Sequence, residues 1–147
     1  MRFLIPISIS MLLAAPVLAE DILQIFKLAD GGKLNQTQPI GIALAPAHGV
    51  SISFLNSGQK IRKAWLSNIS FVTLSSDGCL TGLNSECSES GASILYLNRI
   101  QDLNIPKTFK TDVTNLTVVT SGSGGGGIYV FKISKSKKPS KLIYEVH

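Results

Sequence analysis

Gly122, Gly124 and Gly127 spell a G-x-G-x-x-G within "VVTSGSGGGGIYVFKIS", residues 118–134. Such spacing cradles a dinucleotide pyrophosphate only where the glycines lie between a strand and a helix whose free N–H groups point at the phosphate. Here Ile128, Tyr129, Val130, Phe131, Lys132 and Ile133 follow. These β-branched and aromatic residues make a strong strand and a poor helix start. The other phosphate-loop pattern needs Lys and then Ser or Thr after its last glycine, and Ile128-Tyr129 occupy those places. The run therefore reads as a hairpin tip joining residues 115–121 to 127–134.

The remaining reactive side chains form no constellation. The two histidines, His48 and the terminal His147, are in no spaced cluster with Cys79 or Cys87, so the sequence supports no zinc site. No G-x-S-x-G is present, and His48 sits in a "PAHG" turn. Asp30, Asp77, Glu86, Glu89, Asp102 and Asp112 are scattered through loop-like segments. Asp30 before Gly31-Gly32, and Asp77 before Gly78, read as turn residues. The expectation is a protein that is not an enzyme, with no catalytic residues, metal or cofactor.

Compartment is easier to read. Met1-Arg2 and the apolar "FLIPISISMLLAAPVLA" end in small residues, with Val17 and Ala19 placed as a signal peptidase requires before Glu20. Residues 1–19 read as a signal peptide cleaved between Ala19 and Glu20, and residues 20–147 as a single domain. The expected location is secreted, in the periplasm, with no membrane span after cleavage. Cys79 and Cys87 flank a short Gly/Asn/Ser-rich stretch. In an oxidising compartment they are expected to form a structural disulfide, which would add about 2–3 kcal/mol. Lys132, Lys135, Lys137, Lys138 and Lys141 concentrate a net charge of +5 toward the C-terminus. They read as a solvated strand edge, or else as a patch for an acidic partner; Lys135, Lys137, Lys138 and Lys141 are candidate interaction residues. Nucleic acid is excluded as a partner, because no aromatics interleave with these lysines and export removes the chain from it.

The elements that must carry these residues are strands. Apolar runs bounded by Gly, Pro, Asn and Ser fall at 22–28, 39–46, 49–56, 60–67, 69–75, 93–100, 115–121, 127–134 and 141–147, with no helical periodicity. The fold class is all-β, a single antiparallel β-sandwich of about eight or nine short strands. Prolines make 39–46 an edge or a strand start. Val50, Ile52 and Phe54 share one face, 60–67 and 69–75 form a pair, and 93–100 runs centrally. The stretch 102–114 is too long for a hairpin and carries the chain between sheets. Trp65, the only tryptophan, lies beside Lys60, Arg62 and Lys63. Strand alternation turns it toward the core; on the surface it would be an interaction anchor.

"TDVTNLTVVT", the glycine tip and "IYVFKIS" resemble the closing hairpin of the small β-sandwich in TraK-type periplasmic proteins of conjugative transfer and type IV secretion. "GVSISFLNSGQKIRKAWLSNISFVTL" is similar to that family's strand–turn–strand, and "ILYLNRIQDLNIP" to the strand leading into the hairpin. The resemblance spans residues 40–134 and implies an exported, non-catalytic interaction or scaffold module within a cell-envelope assembly, with envelope or surface proteins as partners. The alternative is a secreted carbohydrate- or ligand-binding sandwich, marked by exposed aromatics on one sheet. A small exported hydrolase lacks the catalytic set it would need.

Overall fold

Val50 and Ile52 are buried on one side of residues 49–53 while Ser51 reaches solvent on the other. The same period of two buries Thr114, Leu116, Val118 and Thr120, and across from them Tyr129, Phe131 and Ile133. Alternation of this kind gives each strand one face to hide, and two sheets solve that by closing on each other. The protein, a computed structural model, is described over residues 23–26, 39–80, 91–123, 125–139 and 141–147. Residues 1–19, expected to be a signal peptide cleaved between Ala19 and Glu20, lie outside the described residues, as do Cys87 and Gly124.

Nine strands are described: β1 (Leu23–Phe26), β2 (Ile40–Leu44), β3 (Gly49–Ser53), β4 (Gln59–Leu66), β5 (Val72–Ser76), β6 (Ile94–Arg99), β7 (Val113–Gly122), β8 (Ile128–Lys135) and β9 (Ile143–Val146). They form a β-sandwich of two sheets, ordered β1-β9-β3-β6-β5 and β2-β8-β7-β4. Ile52, Leu95 and Leu97 from the first sheet meet Ile42, Leu116, Val118, Phe131 and Ile133 from the second. Each such side chain contributes about 1.5–3 kcal/mol by leaving water. Phe54 meets the Tyr129 ring edge-to-face at 5.0 Å across the layers. Beneath the hairpin tip, Thr120 Oγ1 and Tyr129 OH both donate to Gln59 Oε1, at 2.5 and 3.0 Å, and Gly127 N–H donates to Thr120 Oγ1 at 3.0 Å. Burial raises the Tyr129 phenol above its ordinary pKa, against the lowering effect of the Gln59 and Thr120 hydrogen bonds.

The expected strands are present, with β2 at a sheet edge and β6 flanked on both sides. β7 and β8 form the expected antiparallel hairpin, with Leu116 opposite Phe131 and Val119 opposite Ile128. β8 starts directly after Gly127, so no helix follows the glycine run. Two expectations are corrected. Pairing is mixed: β1 with β9, β3 with β9 and β2 with β8 run parallel. Residue alternation reports which face is buried and carries no signal of a neighbour's direction. β4 and β5 do not pair with each other. β4 joins β7 in one sheet and β5 joins β6 in the other. Between them Asn68 Oδ1 accepts Ser70 N–H at 2.8 Å, and Ser70 and Phe71 turn inward, so the chain crosses between sheets at a corner. Residues 100–112, as expected, return it from β6 to β7.

Candidate functional site

β4 departs from simple alternation. Its ladder with β7 pairs Ile61 with Thr120 and then Lys63 with Val119, leaving Arg62 as an extra residue. Such a bulge changes the phase of the strand. Ile61 and Ala64 both face the core, while Lys63 and Trp65 point outward. Trp65 is consequently 46 % exposed, and the expectation that it faces the core is corrected.

β4 and β5 are edge strands of different sheets, and they lie along the same side of the sandwich. Near Ile61 the seam between the sheets is spanned by Gly91 and Ala92, which bridge to Cys79 and Ile61 respectively. Toward Leu66 it stays open. A cleft of about 370 Å³ there is lined by Trp65, Leu66, Ile69, Val72, Leu74 and Leu103 among others. Leu66 and Leu74 pack against the core while remaining only partly covered, so the floor of the cleft is the core itself. Ile69 is 54 % and Leu103 45 % exposed on its rim. Phe109 is 90 % exposed, on a segment whose carbonyl accepts Asn68 Nδ2–H at 2.9 Å. Large apolar groups gathered in this way on one surface mark interaction sites, whereas singly scattered ones do not.

The rim is held by backbone and charge. Ile100 N–H donates to Phe71 O at 3.0 Å and Leu103 N–H to Ser70 O at 2.7 Å, fastening the start of the β6–β7 connection to the corner. Lys135 then ties both ends of that connection to β8. Its ammonium lies 2.6 Å from Asp102, 3.0 Å from Asp112 and 5.1 Å from the centre of the Phe71 ring. The hydrogen bond to Asp102 raises the Lys135 pKa, and the same bond lowers that of Asp102.

Lys135 is thus withdrawn from the candidate basic patch, its side chain only 15 % exposed. Lys137 and Lys138 are exposed on the β8–β9 connection, and Lys141 is half-buried. The structure does not bring them to Trp65. Two further lysines, Lys60 and Lys63, are on β4. Lys60 donates to Ser93 Oγ at 2.5 Å, and Lys63 is exposed; neither has a carboxylate partner among the described residues. Sequence reasoning missed Ile69, Leu103 and Phe109. Leu103 and Phe109 were apolar residues within a connection otherwise rich in polar and turn-forming types, and Ile69 was read as the first residue of a strand.

The other reactive groups are occupied locally. His48 Nδ1–H donates to Pro46 O at 2.8 Å in the turn before β3, and His147 meets Glu145 at 3.2 Å. Arg99 donates to Ser136 O at 2.8 Å, joining the end of β6 to the end of β8. Among the described residues no cluster of His, Cys, Asp or Glu could hold a metal, and no helix is long and apolar enough to cross a membrane. Cys79 is not a free thiol, while its expected partner Cys87 lies outside the described residues. No protein-family model matches the chain, and no curated protein matches it.

Proposed function

We propose that this chain is an exported, non-catalytic interaction module, a component of a cell-envelope assembly of the conjugation or secretion type, which docks a protein partner at the β4/β5 cleft. One observation carries the reading: the core is left open to solvent along a seam rimmed by Trp65, Ile69 and Leu103. Covering such a seam removes apolar surface from water at about 25 cal/mol per Å², which favours a partner over solvent. The resemblance of the β7–β8 hairpin to TraK-type proteins supports the envelope setting, as does the signal-peptide pattern of residues 1–19. A photoreactive phenylalanine replacing Ile69 in the native host should crosslink to one discrete envelope protein. Crosslinking from Ser75 alone, on the far face of β5, with none from Ile69, would reject the cleft.

A second reading has its own observation. On the outer face of the five-stranded sheet, exposed Tyr96 stands in register with Ser51 and Ser75, and Asn98 with Thr73. An aromatic ring flanked by hydroxyls and an amide is the composition that stacks on and hydrogen-bonds a sugar. Under this reading the protein binds a glycan array, and Tyr96→Ala abolishes the binding while Trp65→Ala does not.

A further inference from the structure

The chemistry of the docked partner follows from β4 itself, given the interaction reading above. The free edge of this strand already pairs once: Ile61 N–H donates to Ala92 O at 2.8 Å, and Ala92 N–H to Ile61 O at 3.0 Å, in an antiparallel bridge. Beyond that bridge β4 has β7 on one side and, among the described residues, no strand on the other. Backbone groups alternate in direction along a strand. Ser67 N–H donates toward β7, to Asn115 O at 2.9 Å. Ala64 and Leu66 therefore turn their N–H and C=O groups the other way, to the open edge. Their side chains face the core and the cleft, whereas Lys63 and Trp65 stand on the outer face.

We propose that β4 accepts an added antiparallel strand along residues 63–66: an extended peptide segment that turns apolar side chains into the cleft and sets a carboxylate opposite Lys63. Main-chain hydrogen bonds would supply affinity and the alternating side chains specificity, as in other strand additions. The cleft requires apolar residues opposite Ala64 and Leu66. Lys63, with no ion-pair partner among the described residues, supplies the charge preference. A second copy of this chain is disfavoured on the same ground. Its β4 would bring another Lys60 and Lys63 to the edge, and like charges across a ladder repel, in a chain whose net charge is +5.

Trp65 is the only tryptophan and lines the cleft, so its fluorescence reads occupancy directly. The full chain is titrated with a capped synthetic peptide alternating valine and glutamate, with its valine–lysine counterpart, and with the glutamate peptide N-methylated on alternate amides. The expected result is a saturable blue shift and protection from acrylamide quenching with the glutamate peptide. The lysine and N-methylated peptides should bind about tenfold more weakly or worse, the loss expected when a few hydrogen bonds or a charge contact is removed. Lys63→Glu, checked for fold by circular dichroism, should reverse the preference between the two charged peptides. Equal binding of the N-methylated peptide, or no reversal by Lys63→Glu, overturns strand addition. So does concentration-dependent burial of Trp65 with no peptide present, which would assign the edge to a second copy. If no peptide shifts the fluorescence while crosslinking from Ile69 still captures a partner, the strand inference falls and the interaction reading stands. Loss of both removes both.

Discussion

Trp65 and Phe131 occupy β sequence of similar appearance, yet their surroundings make them opposites. Phe131 is fully buried between the sheets, and Phe131→Ala should cost about 3–5 kcal/mol in urea unfolding, as expected for a large cavity. Trp65→Ala removes a half-exposed ring and should change stability by less than about 1 kcal/mol while abolishing capture of a partner at the cleft. A comparable loss of stability in both variants would mean that Trp65 is a structural residue. Thr120 makes a third case, because its hydroxyl links Gln59 to Gly127 beneath the hairpin tip. Thr120→Val takes the acceptor from Gly127 N–H and leaves Gln59 Oε1 with Tyr129 OH alone, and a destabilisation of about 1–3 kcal/mol is expected. At this scale the buried residues were legible from alternation. The exposure of Trp65 was not, because one extra residue at Arg62 inverts the phase of all that follows it in β4.

Among elements, the β6–β7 connection depends most on a single contact set. Lys135 holds both Asp102 and Asp112, and the connection so held presents Leu103 to the cleft. Both shifted groups have a definite sign. Asp102 has a lowered pKa in the folded protein, so its contribution is complete above the ordinary value of 3.8 and is lost as pH falls through the depressed one. Lys135 has a raised pKa, so its contribution is complete below the ordinary value of 10.5 and is lost as pH rises through the elevated one. The clamp is therefore at full strength across the neutral range and weakens at both extremes. Lys135→Met should speed amide exchange of Leu103 near neutral pH and abolish the difference from the parent in strong acid. Unchanged exchange at neutral pH would show that backbone bonds alone hold the rim. Asp102 and Asp112 are exposed, so the effect on global stability is expected to be small. The sequence placed this connection between the sheets, but it read Lys135 as a solvent-facing cation, since charge patterning along the chain contains no carboxylates from distant loops.

At the scale of the whole molecule, the sandwich closes with parallel pairs on both sheets, and two strands expected to pair become edges of different sheets. That divergence of β4 from β5 creates the cleft. A disulfide from Cys79 to Cys87 would act at the adjoining seam, where Cys79 bridges to Gly91. Thiol titration of the denatured protein, purified from its native host without reductant, should find no reactive thiol; two thiols per chain would refute the bond. N-terminal sequencing of the same material should begin at Glu20.

What the sequence determined by itself was the local periodicity, and with it nearly all of the fold class. The strands, the inward faces of β3, β7 and β8, and the hairpin reading of Gly122 and Gly127 all follow from side chains alternating across a pleated backbone. These properties are short-range, so a single chain suffices to read them. Tertiary structure alone decided which strands neighbour one another, where the core lies open, and which charges meet. Those outcomes depend on which residues far apart in the chain come together, such as Lys135 and Asp102 in an ion pair and Trp65 and Leu103 around one cleft, and no local pattern encodes them.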